Sequence, residues 1–137
     1  MKHHGGIRGV YLVAAEVSRL GYCVAPTARN AAGADLLVFA TNSAQARSID
    51  VKTNSRRVNF WLVGKSARST SSRTHFYVFL NISSTKDGGE VFEYYVVPSK
   101  IVARKTVVER GKKSTFYSFE LRNARPYRDR WSLLGSA

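Results

Sequence analysis

Two short runs decide how this chain reads: Asp35-Leu36-Leu37-Val38-Phe39 and Arg47-Ser48-Ile49-Asp50-Val51-Lys52-Thr53. The first is an almost continuous apolar run led by an acid, the pattern of a strand buried on both faces. The second alternates strictly, which as a strand puts Ile49 and Val51 on one face and Ser48, Asp50 and Lys52 on the other. Asp50 and Lys52 must then be neighbours on the same face. If the two strands lie side by side, Asp35 joins them.

Upstream, Val10, Val13, Ala14, Val17 and Leu20 recur at helical spacing within Ile7–Leu20, and Gly21 supplies a stop signal. At 100° per residue, Glu16 falls beside Val13 and Leu20, on the margin of the apolar stripe, where its carboxylate can point along the sheet that the helix covers. Gly21–Val24 reads as a short strand and Pro26–Ala34 as a turn-rich connection containing Thr27, Asn30 and Gly33. Thr41–Arg47 is a polar link.

Downstream, Phe60–Val63 is a short apolar run, and Gly64–Thr74 is a basic loop or short helix carrying Lys65, Arg68 and Arg73. The strand candidates Phe76–Ile82 and Val91–Val97 flank Asp87-Gly88-Gly89, a hairpin signal that predicts antiparallel pairing. Pro98–Val102 looks like a helix start, and Thr115–Leu121 like a final strand. The tail Arg122–Trp131 is basic and aromatic.

The chain has 137 residues, with 22 Lys+Arg against 9 Asp+Glu and a formal charge of +13. That length argues for one domain spanning residues 1–137, and the charge for a polyanionic partner. With 44% hydrophobic and 12% aromatic residues, a core can form and the chain is no disordered basic tail. Between Met1 and Lys86, twelve Lys+Arg surround only three carboxylates, Glu16, Asp35 and Asp50. After Lys86 six acids are mixed with ten cations, as on an ordinary surface. The single Cys23 excludes a disulfide framework and a Cys-based zinc site. The apolar stretch Val10–Ala15 is too short to span a membrane. A soluble, cytoplasmic protein is the expectation. His3 and His4 read as incidental to a frayed terminus.

Two carboxylates on adjacent strands, with a third from a helix lying over them, make an oxygen-rich pocket suited to Mg²⁺. Glu16, Asp35 and Asp50 are the candidate ligands. A bound divalent ion would offset their mutual repulsion, and the positive surroundings would draw a phosphodiester backbone to the same place. Lys52 can hydrogen-bond an attacking water or stabilise charge on the scissile phosphate.

At these residues the chain resembles the PD-(D/E)XK nuclease superfamily. Asp35 matches the first motif acid, and Asp50-Val51-Lys52 matches the (D/E)XK element fifteen residues later. Glu16 matches the helix acid of many members, including archaeal Holliday-junction resolvases. Similar blocks run through Glu16–Tyr22, Gly33–Val38, Val51–Thr53, Phe76–Phe79, Tyr94–Pro98 and Tyr127–Trp131, as in uncharacterised restriction-endonuclease-like domains.

The resemblance implies an α/β, restriction-endonuclease-like three-layer fold with a central mixed β-sheet flanked by helices. It also implies metal-dependent hydrolysis of DNA phosphodiester bonds, with Mg²⁺ (or Mn²⁺ in its place) held by Glu16, Asp35, Asp50 and the Val51 carbonyl. Junction or branched DNA is the implied substrate class, with RNA left open, and a junction-cutting enzyme would work as a homodimer. The chain departs from the pattern in having Ala34 before Asp35 and Asp in place of the commoner Glu at 50.

Simpler readings stand beside these. Glu16 could be a solvated helix acid paired with Arg19 or Arg8, and Asp35 a turn acid capping backbone N–H groups. Asp50 and Lys52 could lie on an exposed strand face. Arg56 and Arg57 are candidate phosphate contacts or a solvated basic turn, while Lys65, Arg68 and Arg73 are candidates to grip backbone independently of sequence. Trp61 and Trp131 read as core rather than stacking platforms, Tyr94-Tyr95 as one buried and one available ring, and His75 as structural. A nuclease fold used only to bind nucleic acid, or a basic module docking on an acidic protein, are the alternatives to catalysis.

Overall fold

A computed structural model describes residues 2–27, 34–40 and 45–136, with side chains from Gly6 onward. The turn and polar link expected over Pro26–Ala34 and Thr41–Arg47 therefore fall largely outside the described residues, as do the side chains of His3 and His4. The chain opens with α1 (Lys2–Arg19), which begins well upstream of Ile7. It continues through β1 (Cys23–Pro26), β2 (Leu36–Phe39), β3 (Arg47–Asn54), β4 (Phe60–Val63), β5 (His75–Ser84) and β6 (Glu90–Pro98). After these come α2 (Ser99–Lys105), β7 (Val107–Arg110), β8 (Thr115–Glu120) and α3 (Leu121–Ala124). Lys65–Arg68 forms a single 3₁₀ turn.

Five strands make the central sheet in the order β1-β2-β3-β5-β6. All neighbours are antiparallel except β3 and β5, which run parallel, so the sheet is mixed. A parallel pair needs a long crossover, and β4 with the 64–74 loop supplies it. The predicted β5–β6 hairpin is present and antiparallel, with Phe79 opposite Tyr95. Three further strands form a second antiparallel sheet, β4-β8-β7.

Alternation along β3 and β5 splits the core into two halves, one on each face of the central sheet. On one face Ile49, Val51, Phe76 and Val78 meet Val13 and Val17 of α1, along with Trp131 and Leu134 from the tail. On the other, Tyr77, Phe79, Tyr95 and Val97 meet Trp61, Val63 and Phe119 of the second sheet. Phe79 stacks on Phe119 with ring centroids 4.8 Å apart, and the Trp61 indole N–H donates to the Leu80 carbonyl at 3.0 Å. Both tryptophans are core residues, and Tyr95 is the buried member of the Tyr94-Tyr95 pair. The layer opposite α1 is thus mainly a small sheet, with α2 and α3 as short accessories.

β2 is covered on one face only. Leu36 and Val38 are buried, but Leu37 is 36% exposed, so the expectation of a strand buried on both faces fails. The second sheet packs on β5 and β6 and leaves the β2 margin open.

α1 crosses β3 unusually closely. A Cβ built on Gly9 would lie 1.8 Å from Thr53 Oγ1, so only glycine fits, and the buried Thr53 hydroxyl has no hydrogen-bond partner among the described residues. Alanine at an ordinary helix position gains about 1 kcal/mol over glycine, whereas overpacking costs about 1–3 kcal/mol. Gly9→Ala is accordingly expected to lower the melting temperature. The loss should be clearly smaller in a Thr53→Ala background, where only the Thr53 Cβ position at 2.9 Å still crowds the new methyl. Equal losses in both backgrounds, measured by thermal unfolding, would show that Thr53 does not set the helix–strand distance.

Candidate active site

β2 reaches β3 only as far as the Leu36–Ile49 pair. Beyond it the ladder continues through Asp35 itself: the Asp35 N–H donates to the Ile49 carbonyl at 2.8 Å, and the Val51 N–H donates to Asp35 Oδ2 at 2.7 Å. A carboxylate thereby takes the place of the next backbone acceptor. In an extended strand a residue's N–H and C=O leave on the same side, so the Val51 carbonyl also points toward Asp35. The turn-acid reading of Asp35 is partly realised, since one oxygen caps a backbone N–H across the strands.

Asp50 lies on the face opposite Val51, with only 19% of its side chain exposed. Burial and, to a lesser degree, the neighbouring Asp35 charge push its carboxyl up to about 6 against the opposing pull of Lys52. The Lys52 ammonium is 3.3 Å from Asp50 Oδ1. In the parallel register Tyr77 sits beside Asp50; burial and the Asp50 charge push the Tyr77 phenol up to about 12. Two pairs toward the strand start, Ser48 Oγ and His75 Nδ1 are 2.6 Å apart, and burial lowers the His75 imidazole. The sequence reading passed over this Ser48–His75 contact because it depends on the parallel pairing of two distant segments.

Glu16 is placed differently. Arg19 holds its carboxylate, with Nε 3.1 Å from Oε1, and keeps it below its ordinary range. Its charge is felt by Tyr94 on β6, the edge strand farthest from β2, and the charges acting on Asp50 are those of Lys52 and Asp35. Among the described residues no three His, Cys, Asp or Glu side chains group closely enough to hold a metal ion. The structure therefore brings together Asp35, Asp50, Val51 and Lys52, and does not bring Glu16 to them.

A cleft of about 470 Å³ opens beside Lys52, lined also by Val51, Thr53, Asn54, Arg56 and Gly6. Arg56 therefore stands at the rim, while Arg57 donates from Nε to Glu93 Oε1 at 2.9 Å, in an ion pair that Arg128 shares. Lys65, Arg68 and Arg73 are exposed, and among the described residues neither they nor Arg56 has a carboxylate partner.

The donor set is chemically suited to a hard divalent cation: two neighbouring carboxylates, with the Asp35 charge raising the proton affinity of Asp50, and a backbone carbonyl aimed between strands. Among the described residues no helix is long and apolar enough to cross a membrane.

No protein-family model and no curated protein sequence matches the chain. Among solved structures, I-Ssp6803I, a bacterial homing endonuclease, superposes with a TM-score of 0.58 at 16% identity, over 95% of this chain and 88% of that one. Hjc, a Holliday junction resolvase from the archaeal hyperthermophile Archaeoglobus fulgidus, gives 0.49 at 11% identity, over 85% and 91%. The nuclease-like α/β architecture expected from the sequence is the one this chain adopts.

The raised Asp50 carboxyl has a consequence for stability. An acid whose folded pKa is raised binds more protons in the folded than in the unfolded state between the two values, so stability falls as pH rises through that interval. For Asp50 the interval runs from an ordinary carboxylate near pH 4 to about 6. In EDTA, Asp50→Asn is expected to be more stable than the parent above pH 7, and the gap should close toward pH 4. Denaturant curves that superimpose at pH 8 would show that the carboxylate is not penalised by its surroundings.

Proposed function

We propose that the protein is a divalent-metal-dependent endonuclease acting on DNA. The observation that carries this reading is the juxtaposition at the end of β2, where Asp35 is fixed against β3 by the Val51 N–H and its charge acts on Asp50, which in turn holds Lys52 at 3.3 Å. The nuclease-like fold supports it.

In this reading Asp35, Asp50 and the Val51 carbonyl hold Mg²⁺, or Mn²⁺ in its place. The ion would supply Lewis acidity toward a phosphoryl oxygen and lower the pKa of water. Asp50, in its ionised form, would accept a hydrogen bond from the attacking water and so orient it. Lys52 hydrogen-bonds that water and stabilises the negative charge that grows on the phosphate as the P–O bond breaks. Arg56 at the cleft rim and Lys65, Arg68 and Arg73 on the crossover bind backbone phosphates, which steers any DNA to the site without regard to sequence. Glu16 joins only if Arg19 releases it. Branched or junction DNA is the substrate class to which the sequence resemblance points, and symmetric cutting of such a substrate would engage two copies of the chain.

Plasmid, flap and four-way-junction DNA incubated with Mg²⁺ or Mn²⁺ test the proposal. Asp50→Ala and Lys52→Ala are each expected to reduce the cleavage rate by roughly 100-fold or more, and Glu16→Ala by no more than a few-fold. Cleavage surviving both of the first two substitutions would sink the site assignment. DNA binding with no cleavage under either ion, and no metal uptake by calorimetry, would instead favour a nuclease fold used for binding alone.

A further inference from the structure

We propose that the β7–β8 hairpin is a duplex-binding arm, a two-stranded ribbon whose basic tip enters a groove of double-stranded DNA. The inference rests on nucleic acid being the partner in the reading above, and does not depend on cleavage.

Between Arg104 and Lys113 the chain carries Arg104, Lys105, Arg110, Lys112 and Lys113 against the single acid Glu109. All five cations are exposed. Elsewhere Arg8, Arg19, Arg57, Arg122 and Arg128 are held by carboxylates, but among the described residues none of these five is. Their charge is free to meet phosphate.

The geometry of the hairpin suits a groove. The Gly111 N–H donates to the Ser114 carbonyl at 2.8 Å, closing the turn with Lys112 and Lys113 at its tip. A Cβ on Gly111 would lie 2.9 Å from that carbonyl oxygen, so the closure depends on glycine. β4 pairs with β8 only over Tyr117–Glu120, whereas β7 continues to the Arg110–Thr115 pair. Past Tyr117, then, the ribbon has two strands and, among the described residues, no third. Two strands about 4.8 Å apart with their side chains fit a major groove about 12 Å wide. Phe116 stands 50% exposed on this free portion, where an apolar ring can meet a thymine methyl group.

The arm also continues the basic crossover. The 3₁₀ turn Lys65–Arg68 packs on α2, and Ser72 is bound to Ser99 at the start of α2 both through its N–H, at 3.0 Å, and through its carbonyl, at 2.9 Å. Arg104 and Lys105 end α2 and lead directly into β7. Cations thus follow one another from the crossover through α2 to the hairpin tip. Since β4 contacts β3 and β7 is two strands farther out, the tip would touch DNA away from the bond positioned at Asp50.

Lysines at a hairpin end also guard an exposed edge strand against pairing with other chains. Glutamates would guard it equally well, and this separates the two roles. Binding is read by fluorescence anisotropy in EDTA, with a duplex of about 30 base pairs and a single strand of the same length, across a range of salt. For Lys112→Glu/Lys113→Glu, we expect duplex binding at least tenfold weaker near 100 mM salt, and a slope of log K against log salt shallower by about 2. The single strand should lose much less, and Lys112→Arg/Lys113→Arg should keep the parent slope. Melting temperatures confirm that the variants fold. Unchanged duplex affinity of the glutamate variant, or an equal loss for the single strand, would overturn the proposal. Parent protein that binds no DNA would overturn it together with the nucleic-acid reading, whereas a hairpin-dependent duplex complex that is never cleaved would leave it standing and remove only the nuclease.

Discussion

The hydrogen bond from the Val51 N–H to Asp35 Oδ2, at 2.7 Å, is the constraint on which the site depends. A strand that loses its neighbour leaves a buried N–H to be satisfied, and here a side chain replaces the missing carbonyl. The same bond fixes three things. It marks where β2 ends, it orients a carboxylate on the open flank of β3, and it leaves the Val51 carbonyl facing that carboxylate. From this point the exposed flank of β3 runs into the cleft beside Lys52. Gly9 sets the opposite wall by letting α1 lie directly on Thr53.

Charge is arranged around this point in two ways. Five of the nine acids are paired with arginine: Glu16 with Arg19, Glu90 with Arg8, Glu120 with Arg122, the buried Glu93 with both Arg57 and Arg128, and Asp129 with Arg128. The Glu93 cluster joins the segment after β3 to the C-terminal tail, and a half-exposed guanidinium in such a cluster serves the fold before it serves a ligand. Asp50 differs from these in being paired with a lysine and in its surroundings. It is desolvated, it lies beside another carboxylate, and one nearby ammonium does not bring it back to its ordinary range. In the reading proposed above, a bound cation would offset this unfavourable setting of Asp50, and the unpaired cations on the surface would draw phosphate toward it.

Local sequence pattern alone makes part of this legible. The strict alternation of Arg47–Thr53 fixes which side chains share a face, because strand periodicity is a property of the backbone, and Asp50 and Lys52 do share one. The hairpin of β5 and β6 follows from turn chemistry. Glu16 shows where such reasoning stops. A helical wheel places it correctly at the stripe margin, but whether it looks toward β2 or β6 depends on how α1 crosses the sheet, and that is set by a contact between Gly9 and Thr53, far apart in sequence. The parallel pairing of β3 with β5, and with it the Ser48–His75 contact, is equally nonlocal. β7 is four residues long with one half-buried and three exposed positions, too short and too polar to stand out from a basic loop.

The one-sided burial of β2 explains why the site can be both desolvated and reachable. The second sheet seals β5 and β6 with Trp61, Val63 and Phe119, and Asp50 and Lys52 lie on β3, the last strand before the seal gives way to the uncovered Leu37 face. Extended over β2, that layer would bury Asp50 beyond the reach of a phosphate. Drawn back to β5, it would leave Asp50 in water with an ordinary pKa. A boundary at β3 gives the carboxyl its raised proton affinity and keeps it open on the Asp35 side, so the protonation behaviour of Asp50 follows from where the second layer ends.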